Sequence, residues 1–223
     1  MLKIYLLKYE DPRLMEDGEY IEAATSKIDS HRRDMLSHMK KNPKGAAASI
    51  AAGLLIAYAY ERYAEGDKGD AFEILELSEV MKKIPENRCF KFRIGEQGKP
   101  YFENPEYPYF NISHAGGYAA IALSDTEVGI DIQNRRNTKT IDMAKRFFAP
   151  DEVESCISDK SGDMFFKLWS RKEALGKCTG DGVRPYLDVS VMDLNADHLK
   201  GYEWVEKETV NEFLAVCKSV VSH

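Results

Sequence analysis

With 223 residues, 43% of them hydrophobic and 30% charged, the chain can bury a core as one large domain or two small ones. A formal net charge of −6 argues against a protein that coats nucleic acid, which is usually basic. The four cysteines, Cys89, Cys156, Cys178 and Cys217, have no CxxC spacing; they fit reduced thiols in a cytoplasmic protein rather than a zinc site or a disulfide framework.

Leu2 to Lys8 is rich in Ile, Tyr and Leu and reads as a strand, and Met1 to Tyr9 is too short and too interrupted by lysine for a signal peptide. Ser26 to Lys41 is polar with spaced apolar positions (Ile28, Met35, Leu36, Met39), which predicts a helix. Gly45 to Glu65 is a long Ala- and Leu-rich helix, ended by Gly66, Asp67 and Gly69. Its apolar run, Ala46 to Tyr60, is shorter than the roughly 20 residues that span a bilayer, so a buried core helix is expected and no membrane contact. Residues 70 to 88 are ambiguous, with a short helix over Ser78 to Lys83.

The period then changes. Phe90, Phe92 and Ile94 alternate with Lys91 and Arg93 at strand spacing. Phe110 to Ser113, Tyr118 to Leu123 and Glu127 to Ile132 follow as three strands of an antiparallel meander, parted by Gly116-Gly117 and Ser124-Asp125. Thr140 to Phe148, Pro150 to Ile157 and Asp163 to Lys177 read as helices, the last with Asp163 as its N-cap. Tyr186 to Met192 alternates as a strand, and Phe213 to Val221 is a closing strand. The fold expected is α+β, with two similar pseudo-symmetric lobes, residues 1–105 and 106–223, each a small antiparallel sheet packed against a long helix.

Three stretches carry candidate chemistry. In Val128-Gly129-Ile130-Asp131-Ile132-Gln133, strand alternation places the three apolar side chains on one face and Gly129, Asp131 and Gln133 on the other. Asp131 amid apolar neighbours is either an oxygen ligand for a hard cation or an edge aspartate facing water. On the helix through Leu168-Trp169-Ser170-Arg171-Lys172-Glu173-Ala174-Leu175-Gly176-Lys177, Trp169, Glu173 and Lys177 share one face at i, i+4, i+8. That row is either a metal-binding or basic carboxylate beside a phosphate-binding lysine, or a Glu–Lys surface pair contributing roughly 0.3–0.5 kcal/mol. Ser113 and His114 end a strand before Gly116-Gly117, where donors can approach a phosphate; no third member of a hydrolase triad stands nearby.

Together with Gly98-Lys99-Pro100 and with Arg146-Phe147-Phe148 followed by Glu152, these motifs stand in the order seen in 4′-phosphopantetheinyl transferases. The chain resembles the surfactin-synthetase-activating type, which has two pseudo-symmetric lobes in one chain. The likeness runs from about residue 95 to 190, and the first 90 residues match in outline only. It implies transfer of 4′-phosphopantetheine from coenzyme A to a serine of an acyl or peptidyl carrier protein, with release of 3′,5′-ADP. By the same resemblance Asp131 and Glu173 hold Mg²⁺, Glu173 accepts the serine proton, Lys177 and His114 meet phosphate, and Lys99 and Ser113 contact coenzyme A. Arg135 to Phe148 would meet the carrier, whose recognition helix is typically acidic; Arg135, Arg136, Lys145 and Arg146 are basic.

The chain departs from the family in two places. Many bacterial members carry glutamate where Gln133 stands, so Gln133 is a weak third ligand or the holder of a metal-bound water. Ala46-Ala47-Ala48-Ser49 occupies the region where a basic residue usually takes the 3′-phosphate, leaving Lys44 or Lys41 as substitute. A two-lobed chain could supply the whole site as a monomer. The rival reading is a module that binds coenzyme A or a carrier without transferring anything, which would have no need of the carboxylate pair.

Overall fold

The computed structural model describes residues 1–220 except 37, 40, 41, 87–89, 137, 138 and 210. Cys89 and the basic pair Lys40 and Lys41 therefore lie outside the described residues, as does Val221 at the end of the expected closing strand. Strand β1 (Leu2–Lys8) leads into three short helices, α1 (Arg13–Glu16), α2 (Gly18–Thr25) and α3 (Ser30–Leu36). The single helix expected from Ser26 is thus the short α3, preceded by an unforeseen α2 that Asp17 caps by accepting from Tyr20 N.

The long helix α4 runs Pro43–Ala64 and begins where its sequence dictates: Asn42 Oδ1 accepts from Gly45 N at 3.0 Å, and Pro43 stands at the first helical position. It returns the chain to β2 (Ala71–Leu75), which pairs in parallel with β1; this β–α–β crossover corrects the wholly antiparallel sheet that was expected. After α5 (Leu77–Lys83) come the small hairpin β3 (Phe92–Ile94) and β4 (Pro100–Phe102), then β5 (Tyr109–Ala115) and β6 (Tyr118–Ser124). Sheet order is β2-β1-β6-β5, so strands from both sides of residue 105 share the first sheet.

Strand β7 (Val128–Asn134) does not continue a meander. It joins β9 (Glu212–Ser219) and β8 (Tyr202–Glu208) in a second sheet of order β7-β9-β8. Side chains of β5 join the two sheets: Asn111 Oδ1 accepts from Ile130 N at 3.1 Å, and Ser113 Oγ accepts from Ile132 N at 3.3 Å. Between β7 and β8 run α6 (Thr140–Phe147), α7 (Pro150–Ser158) and α8 (Asp163–Thr179). Gly162, in the left-handed region, occupies the N-cap of α8; Asp163, expected there, is the first helical residue, and Asp159 accepts from Met164 N instead.

No strand forms over 186–192. Its carbonyls are taken by two side chains of α8: Lys172 donates to Tyr186 O and Val189 O, and Arg171 to Val191 O and Met192 O. The chain there makes a short 3₁₀ turn at Arg184–Tyr186 rather than a ladder.

Alternation sorts the side chains into layers. Tyr5, Leu7, Ala119, Ile121 and Leu123 face α4, and Phe213, Ala215 and Cys217 pack with Phe166, Leu168 and Leu175 of α8. On their other faces Ile4, Leu6, Ala120 and Ala122 meet Val128, Ile130, Ile132, Leu214 and Val216. The order is helix, sheet, sheet, helix, an α+β architecture. Among the described residues no helix is long and apolar enough to cross a membrane.

Gly129 brings α8 close to β7: a Cβ there would lie 2.0 Å from Ala174 O and 2.4 Å from Cys178 N, and both are backbone atoms of one helix. Gly129→Ala should therefore destabilise the fold by about 1–3 kcal/mol or more, read as a lower thermal midpoint; a midpoint within 1 °C of the parent's would contradict this packing.

Candidate active site

Asp131 is the hub. It sits in the middle of β7, 3% exposed, on the face turned to α8. Its Oδ1 accepts from Lys177 Nζ at 2.6 Å and from Ser113 Oγ at 3.0 Å, while Oδ2 accepts from Gln133 Nε2 at 2.8 Å. Lys177 also donates to Ile130 O (3.1 Å) and to Ser113 Oγ (3.2 Å). Three elements, β5, β7 and the last turn of α8, thus meet at one carboxylate. The close approach at Gly129 puts Lys177 within reach of β7, so its ion pair is with Asp131 rather than being a surface pair with Glu173.

Glu173 stands one turn earlier on α8. Burial, with the nearby charge of Asp131, pushes its carboxyl above the ordinary range, and Lys177 partly offsets this. Trp169, one turn earlier again, belongs to packing: its ring lies 5.8 Å from Phe165, which stacks on Phe148 at 5.1 Å. His114 ends β5 on the α4-facing side with its ring exposed. Partial desolvation and the positive charges of Lys177 and Arg32 lower its pKa, against the pull of Asp131. That shift favours the neutral imidazole.

Among the described residues, no group of three or more His, Cys, Asp or Glu comes together as a metal cage. The donor set nonetheless fits a hard dication: the charge of the buried Asp131 reaches Glu173, and Lys177 is ion-paired to Asp131 beside them. Gln133 turns its amide nitrogen, not its oxygen, toward Asp131.

Two expected contacts lie apart from the hub. Lys44 is exposed in the first turn of α4 and lines a cavity of about 310 Å³ with Tyr9, Glu10, Met15 and Gly117. Lys99 is 8% exposed, and its ammonium is held by Glu127, Val128 O and Cys178 O.

In the sequence Arg32 stands only as half of a basic pair with Arg33, which reads as a solvated helix face. Its Cδ lies where a side chain on Gly53 would be, which lays it along α4 on the side that carries His114. Its contact to Asp29 is a long 3.7 Å ion pair. The gap it fills is Gly53, which follows two alanines in the apolar run Ile50 to Ile56. Lys172 was also passed over, although it interrupts the apolar row Leu168, Leu175 of α8. It is 0% exposed and forms a 2.7 Å pair with Glu152, which is equally buried.

The basic surface is partly spoken for. Arg135 is bound to Asp163 at 2.8 Å and to Glu208 at 2.6 Å, over the ring of Phe213. Arg136, Lys145 and Arg146 are exposed, and a cavity of about 560 Å³ lies between Arg136, Ile141 of α6 and Phe166 of α8.

Comparison with known proteins gives matches that centre on this region. Residues 127–215, from the edge of β7 into β9, match the family described as the 4′-phosphopantetheinyl transferase superfamily. A 4′-phosphopantetheinyl transferase of Bacillus subtilis is 38% identical over 109 residues, covering 48% of each chain. The 4′-phosphopantetheinyl transferase Sfp of Bacillus subtilis strain 168 is 34% identical over 110 residues, 48% of this chain and 49% of its own. The 4′-phosphopantetheinyl transferase AcpT of Escherichia coli K12 is 38% identical over 112 residues, 47% of this chain and 53% of its own. The chain spans about half the length of these curated relatives.

Proposed function

Through residues 127–215 the chain belongs to the 4′-phosphopantetheinyl transferase superfamily, and from that premise we propose that it moves the 4′-phosphopantetheine of coenzyme A onto a serine of an acyl or peptidyl carrier protein. The observation that carries the reading is the meeting of Asp131, Ser113 and Lys177 between the sheets and α8, with Glu173 one turn before Lys177 on the same helix. A module that only binds has no use for a half-buried carboxyl, Glu173, whose ionised form is disfavoured by burial and by the charge of Asp131. The two sheet-and-helix halves are proposed as the pseudo-symmetric lobes of that family, acting as a monomer in the cytoplasm; the described cysteines Cys156, Cys178 and Cys217 are free.

In the reaction the carrier serine oxygen bonds to the β-phosphorus of coenzyme A, the bridging P–O bond breaks, and 3′,5′-ADP leaves with the bridging oxygen. Such transfers depend mainly on positioning and on charge placed where it develops. Asp131 and Glu173 are the residues that would hold Mg²⁺, which when bound neutralises pyrophosphate charge. Lys177 gives an ammonium to the departing phosphate; Ser113 and His114 offer hydrogen bonds beside it. In this reading Glu173 takes the serine proton. Arg32, beside His114, joins Lys44 as a candidate cation of the first lobe for the remaining phosphate. Exposed Arg136, Lys145 and Arg146 form a basic face for an acidic carrier.

The test is product formation: 3′,5′-ADP should appear only when coenzyme A, a divalent cation and an apo-carrier are all present. Release that needs no carrier, or none with any carrier while coenzyme A still binds, would overturn the reading.

Gln133 provides a finer check. Gln133→Glu brings a third carboxylate beside Asp131 and should lower the Mg²⁺ concentration needed for half-maximal activity. Gln133→Ala should cost far less than Asp131→Ala, because water can replace an amide. An unaltered Mg²⁺ requirement in Gln133→Glu would remove Gln133 from the site.

A further inference from the structure

The motif around Lys99 resembles a coenzyme A contact, but the geometry of its ammonium points elsewhere. A lysine ammonium has three N–H donors. Those of Lys99 go to Glu127 Oε2 at 2.6 Å, Val128 O at 3.0 Å and Cys178 O at 3.0 Å. The residue is 8% exposed, and Glu127 balances its charge. No donor is left for a phosphate.

Each acceptor has its own reason to need a cation. Cys178 lies in the last turn of α8, where helical carbonyls lose their partners and the dipole is negative; a buried ammonium answers both. Val128 O opens β7, three residues before Asp131. Glu127 is shared with the Tyr101 hydroxyl, so the loop and strand after β3 are tied to the same point. The residue just before Cys178 is Lys177, whose ammonium pairs with Asp131.

We propose that the Lys99 side chain is a positioning group: it pins the C-terminal turn of α8 to the start of β7, and so holds Lys177 against Asp131, without its ammonium touching coenzyme A. The proposal rests on the transferase reading for its effect on rate, but not for its effect on the helix.

The test uses the full chain carrying Lys99→Met, which keeps the apolar stem and removes the charge. Amide hydrogen exchange at residues 177–179 should quicken by about tenfold or more, because that turn loses its anchor. The rate constant for transfer should fall by about tenfold or more, as a misplaced Lys177 would cause, while the KM for coenzyme A and the Kd for 3′,5′-ADP weaken by about threefold at most, the share of one among several phosphate contacts. A residue that merely supports the fold would lower the melting temperature and leave this split unseen. A tenfold weaker grip on 3′,5′-ADP with unchanged exchange would make Lys99 a ligand contact and overturn the proposal. If the parent protein transfers nothing, the transferase reading fails, yet exchange at 177–179 still decides the role of Lys99. If Lys99→Met does not fold, Glu127→Gln, which removes the counter-charge alone, must show the same quickened exchange; unchanged exchange there also overturns the proposal.

Discussion

Asp131→Ala should reduce transfer by about 100-fold or more while the protein stays folded. The side chain's hydrogen bonds go to the side chains of Ser113, Gln133 and Lys177, not to the backbone of the sheet. Removing it deletes one of the two carboxylates and leaves the Lys177 ammonium without the partner that holds it at 2.6 Å. Asp131→Asn should be nearly as poor, because an amide has the shape but not the charge. Transfer assays at saturating Mg²⁺ and coenzyme A, with circular dichroism to confirm folding, check this. Turnover within threefold of the parent in a folded Asp131→Ala protein would remove Asp131 from the chemistry.

The second large effect is on stability. Lys172 and Glu152 form an ion pair with neither side chain exposed. Burying charges is favourable only when their bonds are complete, and here they are. Lys172 Nζ reaches Glu152, Tyr186 O and Val189 O; Glu152 accepts from Ala149 N at 3.1 Å and from Val191 N at 2.8 Å. Burial lowers the pKa of Lys172, and its bonds to Glu152 oppose that. Lys172→Ala leaves a buried carboxylate without its cation, and should cost about 3–5 kcal/mol, or about 6–20 °C in thermal midpoint. Replacing both partners, Lys172→Met with Glu152→Gln, should recover part of that loss, since no unpaired charge remains. A Lys172→Ala protein that melts within 2 °C of the parent would show that the pair does not hold the 184–191 segment.

These two cases show what could be read from the residues and what could not. Strand and helix periods made legible the faces that carry Asp131, Glu173 and Lys177, but left each open between a site and a surface residue; only the resemblance to the family assigned their roles. That Lys177 pairs with Asp131 was not legible, since it depends on how closely Gly129 lets α8 approach. Lys172 was misjudged by omission: its acceptors are backbone carbonyls of a segment whose alternation suggested a strand, and only tertiary structure shows them turned inward. The parallel pairing of β1 with β2 and the departure of β7 to a second sheet are long-range choices that local alternation does not encode. Arg32 needed the same kind of knowledge, because its place is set by the gap at Gly53 on another helix.

The central claim is group transfer to a carrier serine, and intact-mass spectrometry of the carrier tests it most directly. An apo-carrier incubated with the protein, coenzyme A and Mg²⁺ should gain the mass of one phosphopantetheine group, and a carrier whose acceptor serine is changed to alanine should gain nothing. A panel of apo acyl and peptidyl carriers that all keep their mass, with protein that still binds coenzyme A, would contradict the account.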